Sequence, residues 1–232
     1  MRCIEFTHIF FILSNAQLVL GFAFFLCFIM STGSYVYFQF VQQWPPATCI
    51  RSRKPCSKHL PLPIFTIHGL WPSNYSNPTM PSNCIGSLFN ESKLYPKLRS
   101  KLKISWPDVE SGNDTQFWEG EWNKHGRCSK EMLNQMQYFE RSHAMWNSHN
   151  ITNILENAQI VPNATRKWKY SDILTPIKAA TKRTPLLRCK PDPAQSNSQL
   201  LHEVVFCYGY NTKKQIDCNR PGCKNKIDIK FQ

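Results

Sequence analysis

The chain has 232 residues, a length that fills one domain with a substantial core and leaves no clear second one. Lysine and arginine outnumber aspartate and glutamate by 28 to 15, for a formal charge of +13. Such a surface favours a polyanion as partner, whether nucleic acid, an acidic membrane or an acidic polysaccharide, with plain solubility as the alternative reading.

In chain order, Leu18 to Met30 is an uninterrupted apolar run followed by the small residues Ser31, Thr32, Gly33 and Ser34. Its length is that of a signal-peptide core, so residues 1–34 are expected to be cleaved after Ser34 and residues 35–232 to form the mature, secreted, extracellular domain with no stable membrane association. Counting the apolar stretch Ile9 to Leu13 as well, a signal anchor of about 20 residues is the other reading. Tyr35 to Trp44 mixes aromatic and β-branched residues and predicts a strand that runs nearly into Pro45 and Pro46. Cys49 and Cys56 bracket a basic loop with Arg51, Arg53 and Lys54, expected to be solvated. A second short β-type run ends at His68, where Gly69 and Pro72 break it, and strand ends beside loops are where reactive side chains are often presented.

Ser73 to Asn90, rich in Ser, Asn and Pro, predicts an exposed loop. Leu88 to Leu102 shows helical spacing and ends at Trp106-Pro107-Asp108. Asp114 and Thr115 start a helix through Phe117, in which Trp118 and Trp122 at i and i+4 are expected in the core. Ser129 to Trp146 continues helical, with Met132, Leu133, Met136, Phe139 and Met145 as its core stripe. Ile151 to Ile160 and Tyr170 to Lys182 are two shorter helices. Arg166 to Lys169 is a basic and aromatic stretch expected to be a solvated turn, with an RNA-binding patch as the alternative. Leu200 to Tyr210 and Ile227 to Phe231 read as strands. With no repeat and no linker, the fold class is a single α+β domain.

If Cys3 and Cys27 leave with the signal, eight cysteines remain, namely Cys49, Cys56, Cys84, Cys128, Cys189, Cys207, Cys218 and Cys223. Eight cysteines allow about a hundred pairings, which the sequence does not resolve. No pair has the CxxC spacing of a zinc site, so disulfides in an oxidising compartment are the reading and no metal is assigned. Five sequons, at Asn74, Asn90, Asn113, Asn150 and Asn163, agree with secretion.

The chemistry concentrates in Phe117 to Cys128, which sets Glu121, Lys124 and His125 at i, i+3 and i+4, on one helix face able to hold a phosphate. His68 offers the second imidazole of an acid/base pair. Cleavage of an RNA phosphodiester suits such a pair: the 2′-hydroxyl is the nucleophile, one histidine takes its proton, and another protonates the 5′-oxygen. Lys124 supplies a cation for the phosphorane oxygens, and Glu121 could orient a histidine or hydrogen-bond the phosphorane. Each residue also has a structural reading: His68 as a satisfied strand histidine, Trp71 as core, and the Glu121 to His125 set as helix-surface pairs. His59, His143, His149 and His202 carry no comparable context.

Phe-Thr-Ile-His-Gly-Leu-Trp-Pro at 65–72 and Glu-Trp-Asn-Lys-His-Gly-Arg-Cys at 121–128 resemble the two active-site segments of the ribonuclease T2 family. The opening from Tyr37 to Cys49 and the basic charge further resemble the S-ribonucleases of flowering plants, pistil determinants of gametophytic self-incompatibility, of the rose-family type. The resemblance implies an α+β fold with a central antiparallel sheet packed by helices, no cofactor, His125 as general base, His68 as general acid, and Glu121 and Lys124 stabilising the transition state. Trp71, Gln39, Phe117 and Trp118 would contact substrate. It also implies disulfides Cys49–Cys56, Cys84–Cys128, Cys189–Cys223 and Cys207–Cys218, a monomer, and a pollen F-box partner for the Ser73 to Asn90 loop. Two positions depart from the family. Gly120 stands where many members have a third histidine, and Ser73 stands where fungal relatives carry a base-reading aspartate, so weak base preference is expected. An S-like ribonuclease of phosphate salvage or defence and a catalytically decayed RNA-binding or storage protein are the rival readings.

Overall fold

The computed structural model describes residues 35–50, 56, 62–75 and 80–232. The expected signal segment, the loop cations Arg51, Arg53 and Lys54, and His59 lie outside them. In chain order the elements are β1 (Tyr37–Gln43), α1 (Pro45–Ile50), β2 (Thr66–Ser73), α2 (Pro96–Ser105), α3 (Asp114–Lys124), α4 (Gln135–Ser148), α5 (Ile151–Asn157), β3 (Lys167–Trp168), α6 (Tyr170–Thr181), β4 (Leu186–Pro191), β5 (Ser198–Gly209), β6 (Gln215–Ile216) and β7 (Asp228–Lys230). The expected α+β class holds.

The sheet is organised on β5, whose length lets it pair antiparallel with β1, β4 and β6 and parallel with β7. Its path runs β2-β1-β5-β7-β3, which puts β2 at an edge. Every residue of β1 is buried, since β2 and β5 take its backbone groups and other chain segments cover both faces. Phe38, Phe40, Ile67, Leu70 and Phe206 meet Trp106, Trp118, Tyr138 and Phe139 in the main core. Burying an aromatic or large aliphatic side chain in this way contributes about 1.5–3 kcal/mol each.

Several elements differ from the sequence expectation for local reasons. Pro45 and Pro46 do not merely stop β1; they open α1, where a proline lacks only an N–H that would be unpaired anyway. The helix expected over 129–146 begins only at Gln135. A 3₁₀ turn covers Gly126–Ser129, and the capping box in which the Asn134 side chain accepts from Gln137 N, while the Gln137 side chain accepts from Asn134 N, fixes the new start. Met136 is therefore exposed, and Tyr138 joins Phe139 and Met145 as core. Similarly Pro96 begins α2 after a 3₁₀ turn, Glu91–Lys93, while Leu94, Leu98 and Leu102 keep the expected buried stripe. Arg166 to Lys169 is neither a solvated turn nor an open patch: β3 pairs with β7, and Trp168 lies buried with the Arg166 guanidinium 3.8 Å from its ring centroid.

The four disulfides are Cys49–Cys56, Cys84–Cys128, Cys189–Cys223 and Cys207–Cys218, as the resemblance implied. Cys84–Cys128 ties the loop after β2 to the turn after α3, and the other two β-region bridges clip the segment 218–223 onto β4 and β5.

Candidate active site

His68 does not end its strand. β2 runs on through Gly69 and Pro72 to Ser73, because an edge strand tolerates a proline and because Gly69 gives room that no other residue would. A Cβ on Gly69 would lie 2.2 Å from both Glu121 Oε2 and Trp71 Nε1. The register explains how His68 is aimed. Ile67 faces Gln42 and Gly69 faces Val41, so His68 is the extra residue of a β-bulge, a device that turns a side chain out of the ladder. Its Nδ1 lies 2.6 Å from Glu203 Oε1, and the Trp106 indole donates to its carbonyl oxygen at 3.1 Å.

Trp71 packs against a histidine from each half of the site. Its indole N–H donates to Glu121 Oε2 at 2.8 Å, and its ring centroid is 5.0 Å from that of His68 and 5.4 Å from that of His125. Its other side packs on Val41, Leu186 and Val205, so it is both core and site wall.

Asn113 caps α3 by accepting from Gln116 N, and the helix ends at Lys124, with His125 as its C-cap. Glu121 and His125 are buried, whereas Lys124 is exposed at the rim. The turn after His125 is held from outside by Cys84–Cys128 and by Asn83 N donating to the Lys124 carbonyl at 2.8 Å. Gly126 is required for close approach, since a Cβ there would meet the Trp122 ring at 2.4 Å.

The surroundings push the two histidines apart. Burial works against a charge on His68, but the hydrogen bond and charge of Glu203, with Glu121 behind them, raise its pKa above the ordinary value against the opposing Arg188. Burial, then Lys124, then His68 push His125 down to about 4, with the Pro81 backbone opposing. Burial also raises Glu121, although His68, the Trp71 N–H and Lys124 resist.

Among the expected substrate contacts, Phe117 is half-buried with its ring 6.1 Å from that of His68, and it lines a cavity of about 220 Å³ beside that histidine with Gln43, Thr48, Val109, Lys190 and His202. Trp118 is corrected: it is core, with its indole donating to the Trp106 carbonyl at 2.8 Å. Gln39 is corrected too. It is buried behind the site, donating to Ser73 Oγ at 2.9 Å and accepting from Arg188. Ser73 is buried as well, between Gln39 and the Trp71 carbonyl.

Glu203, Arg188 and His202 were missed by the sequence reading. Glu203 carries a readable signal: it is the lone carboxylate inside the apolar run Leu200 to Tyr208, and a buried charge demands partners. Arg188 is its register partner across β4 and β5, with Nη1 3.1 Å from Glu203 Oε2. His202 is the extra residue of a second bulge, between the Arg188–Glu203 and Cys189–Leu201 pairs, and its Nε2 lies 3.1 Å from Thr48 Oγ1. Of the other histidines, His143 meets Ser105 Oγ and His149 meets Gln215 Oε1, away from the two motifs.

Two imidazoles packed against one indole, in oppositely charged surroundings, suit an enzyme that moves two protons. The chain matches the ribonuclease T2 family model over residues 35–218. It is 39% identical to ribonuclease MC of Momordica charantia over 187 residues, covering 80% of this chain and 95% of that protein. It is also 36% identical to ribonuclease S-1 of Pyrus pyrifolia over 192 residues, covering 81% and 82%. The solved structure of ribonuclease MC1 from the seeds of bitter gourd superposes with a TM-score of 0.77 at 37% identity, over 85% of this chain and all of that one. The chain belongs to the ribonuclease T2 family and is an endoribonuclease of that family.

Proposed function

We propose that the protein cleaves single-stranded RNA by transphosphorylation to a 2′,3′-cyclic phosphate, with His125 as general base and His68 as general acid. The observation that carries this is the opposed setting of the two imidazoles around Trp71. A base must begin unprotonated and an acid protonated, and groups whose environments push their pKa values apart can divide that work. His125, held down to about 4, is free to accept the 2′-hydroxyl proton near neutrality. His68, raised by Glu203, keeps the proton that the 5′-oxygen needs on leaving. Lys124 at the rim meets the charge that grows on the phosphorane oxygens, and Glu121, buried and accepting from the Trp71 indole, hydrogen-bonds the phosphorane or fixes the imidazoles. DNA, which lacks the 2′-hydroxyl, is not cleaved by this route.

The biological setting we propose is secretion and a role in pistil self-incompatibility, with a pollen F-box protein reading the loop from Ser73 to Asn90. The 36% identity to ribonuclease S-1 of pear supports it, and the 39% identity to ribonuclease MC equally supports an S-like ribonuclease of salvage or defence. Glycosylation is sterically open at Asn90, Asn113, Asn150 and Asn163, which are exposed. Their Oδ1 atoms already accept backbone bonds, and a glycan on Nδ2 leaves those bonds intact.

The test is RNA degradation by purified protein in EDTA beside His68→Ala and His125→Ala, with products assayed for 2′,3′-cyclic ends. The reading predicts chelator-resistant activity, cyclic ends, and a loss of about 10²–10⁴-fold in each variant. An inactive wild type would instead support the decayed RNA-binding protein, and pistil-restricted, allele-linked expression separates the two biological settings.

A further inference from the structure

The buried carboxylate of Glu203 takes part in neither of the two proposed proton transfers, yet it makes the shortest polar contact of His68. One oxygen, Oε1, lies 2.6 Å from His68 Nδ1, and the other, Oε2, lies 3.1 Å from Arg188 Nη1. Arg188 in turn donates to Gln39 Oε1, and Gln39 donates to Ser73 Oγ. Glu203 is thus gripped from two sides, on a central strand, behind a histidine that sits on a bulge. Burial works against its ionisation, but His68, His202 and Arg188 more than offset this and hold it down to about 2. A carboxylate that stays ionised and cannot swing away is suited to fix the orientation and protonation of an imidazole.

We propose that Glu203 is a positioning residue for His68: it accepts the Nδ1–H, orients the ring, and leaves Nε2 as the nitrogen that exchanges a proton with substrate. The inference rests on the functional reading above. In the cleavage step the Nε2–H proton passes to the departing 5′-oxygen, the P–O5′ bond breaks, and His68 becomes neutral while keeping its Nδ1–H on Glu203. In the hydrolysis of the cyclic phosphate a water oxygen bonds to phosphorus as the same Nε2 takes its proton, the P–O2′ bond breaks, the departing 2′-oxygen takes the proton His125 gained in the first step, and Glu203 stabilises the imidazolium that forms on His68. Arg188 and Gln39 act one step further back, holding the carboxylate in place.

The charges facing His68 set the expected pH effect. On the sheet side these are Glu203 and His202 from β5 and Arg188 and Lys190 from β4; on the helix side they are Glu121, Lys124 and His125; the loop before α3 adds Asp108 and Glu110 at the cavity. Glu203 is the carboxylate in hydrogen-bonding contact, so its removal leaves the cations Arg188, Lys190 and Lys124 less opposed and lowers the His68 pKa. The alkaline limb of the rate profile, where the acid loses its proton, should then move to lower pH.

The experiment is single-turnover cleavage of a dinucleotide by Glu203→Gln across pH, with 15N NMR of the His68 ring in the wild type. The amide keeps the size and one acceptor but not the charge. The expected result is a fall in the chemical rate of about 10- to 100-fold with KM nearly unchanged, and an alkaline limb shifted down. In the wild type, Nδ1 should carry its proton both above and below the ring's titration. A folded Glu203→Gln with an unshifted limb and unchanged rate would overturn the proposal. If the variant fails to fold, the wild-type spectrum decides alone: a neutral ring with the proton on Nε2 would overturn it. A wild type without ribonuclease activity would overturn the functional reading instead, while the spectrum would still report whether Glu203 sets the tautomer.

Discussion

His68 and His125 carry the same ring on opposite kinds of scaffold. His68 rides a bulge in an edge strand, keeps 30% of its side chain exposed, and is backed by an ionised carboxylate. His125 closes a helix, is buried, follows Lys124 directly, and is held by a turn that a disulfide pins down. In the proposed mechanism, then, the division into acid and base comes from neighbours rather than from the imidazoles themselves. A sheet supplies a carboxylate from an adjacent strand, and a helix end under a loop supplies dehydration and a cation.

The helix side offers the first test. Replacing Cys84 and Cys128 together by serine opens a loop of 44 residues and should cost about 4 kcal/mol of stability by the chain-entropy estimate, read as the denaturation midpoint. The loss should fall on the His125 half, so an NMR titration should move the His125 pKa up from about 4 toward its ordinary value while leaving His68 in place. Equal shifts at both rings would show that the halves are not independently built. Where they meet, Gly69→Ala forces a methyl group onto Glu121 and Trp71, and overpacking of this kind costs about 1–3 kcal/mol. Cleavage should fall more than binding, because Trp71 packs against both histidines.

Acidification sharpens the same contrast. A base with a pKa of about 4 is protonated below that pH, so kcat/KM should drop about tenfold per unit on the acid side of pH 4, without any unfolding seen by circular dichroism. Loss beginning well above pH 5 would place His125 in a more polar setting than the structure gives it. The smallest effect belongs to Gly120, exposed in α3 with nothing within 4 Å of its Cβ position. Gly120→Ala should raise stability by about 0.5–1 kcal/mol, as for any exposed mid-helix glycine. At Gly120 a Cβ meets open space, and Gly120→His should tighten RNA binding if its imidazole touches phosphate.

What the sequence made legible follows the same division. The His125 half lies within one segment, so Glu121, Lys124 and His125 could be grouped from helical spacing alone, although that spacing did not show that Lys124 stays at the rim while the others are buried. The His68 half is assembled across strands. Its aim depends on a bulge between β1 and β2, and its partner Glu203 reaches it only through the order of the sheet. No local pattern announces such a contact; only a carboxylate stranded among Leu200 to Tyr208 hints at it. The fold class was readable from the apolar periodicities, whereas β4, with Arg188, Lys190 and Pro191 in it, had too polar a pattern to stand out. Gln39 and Trp118 show the limit of resemblance: it assigns both to substrate, and the interior takes up both.

A change of leaving group decides whether His68 is the acid and His125 the base. A ribonucleoside 3′-(4-nitrophenyl) phosphate departs without needing a proton. On this substrate His68→Ala should recover most of its lost rate while His125→Ala remains deficient; recovery by His125→Ala and not by His68→Ala would reverse the assignment and contradict the account.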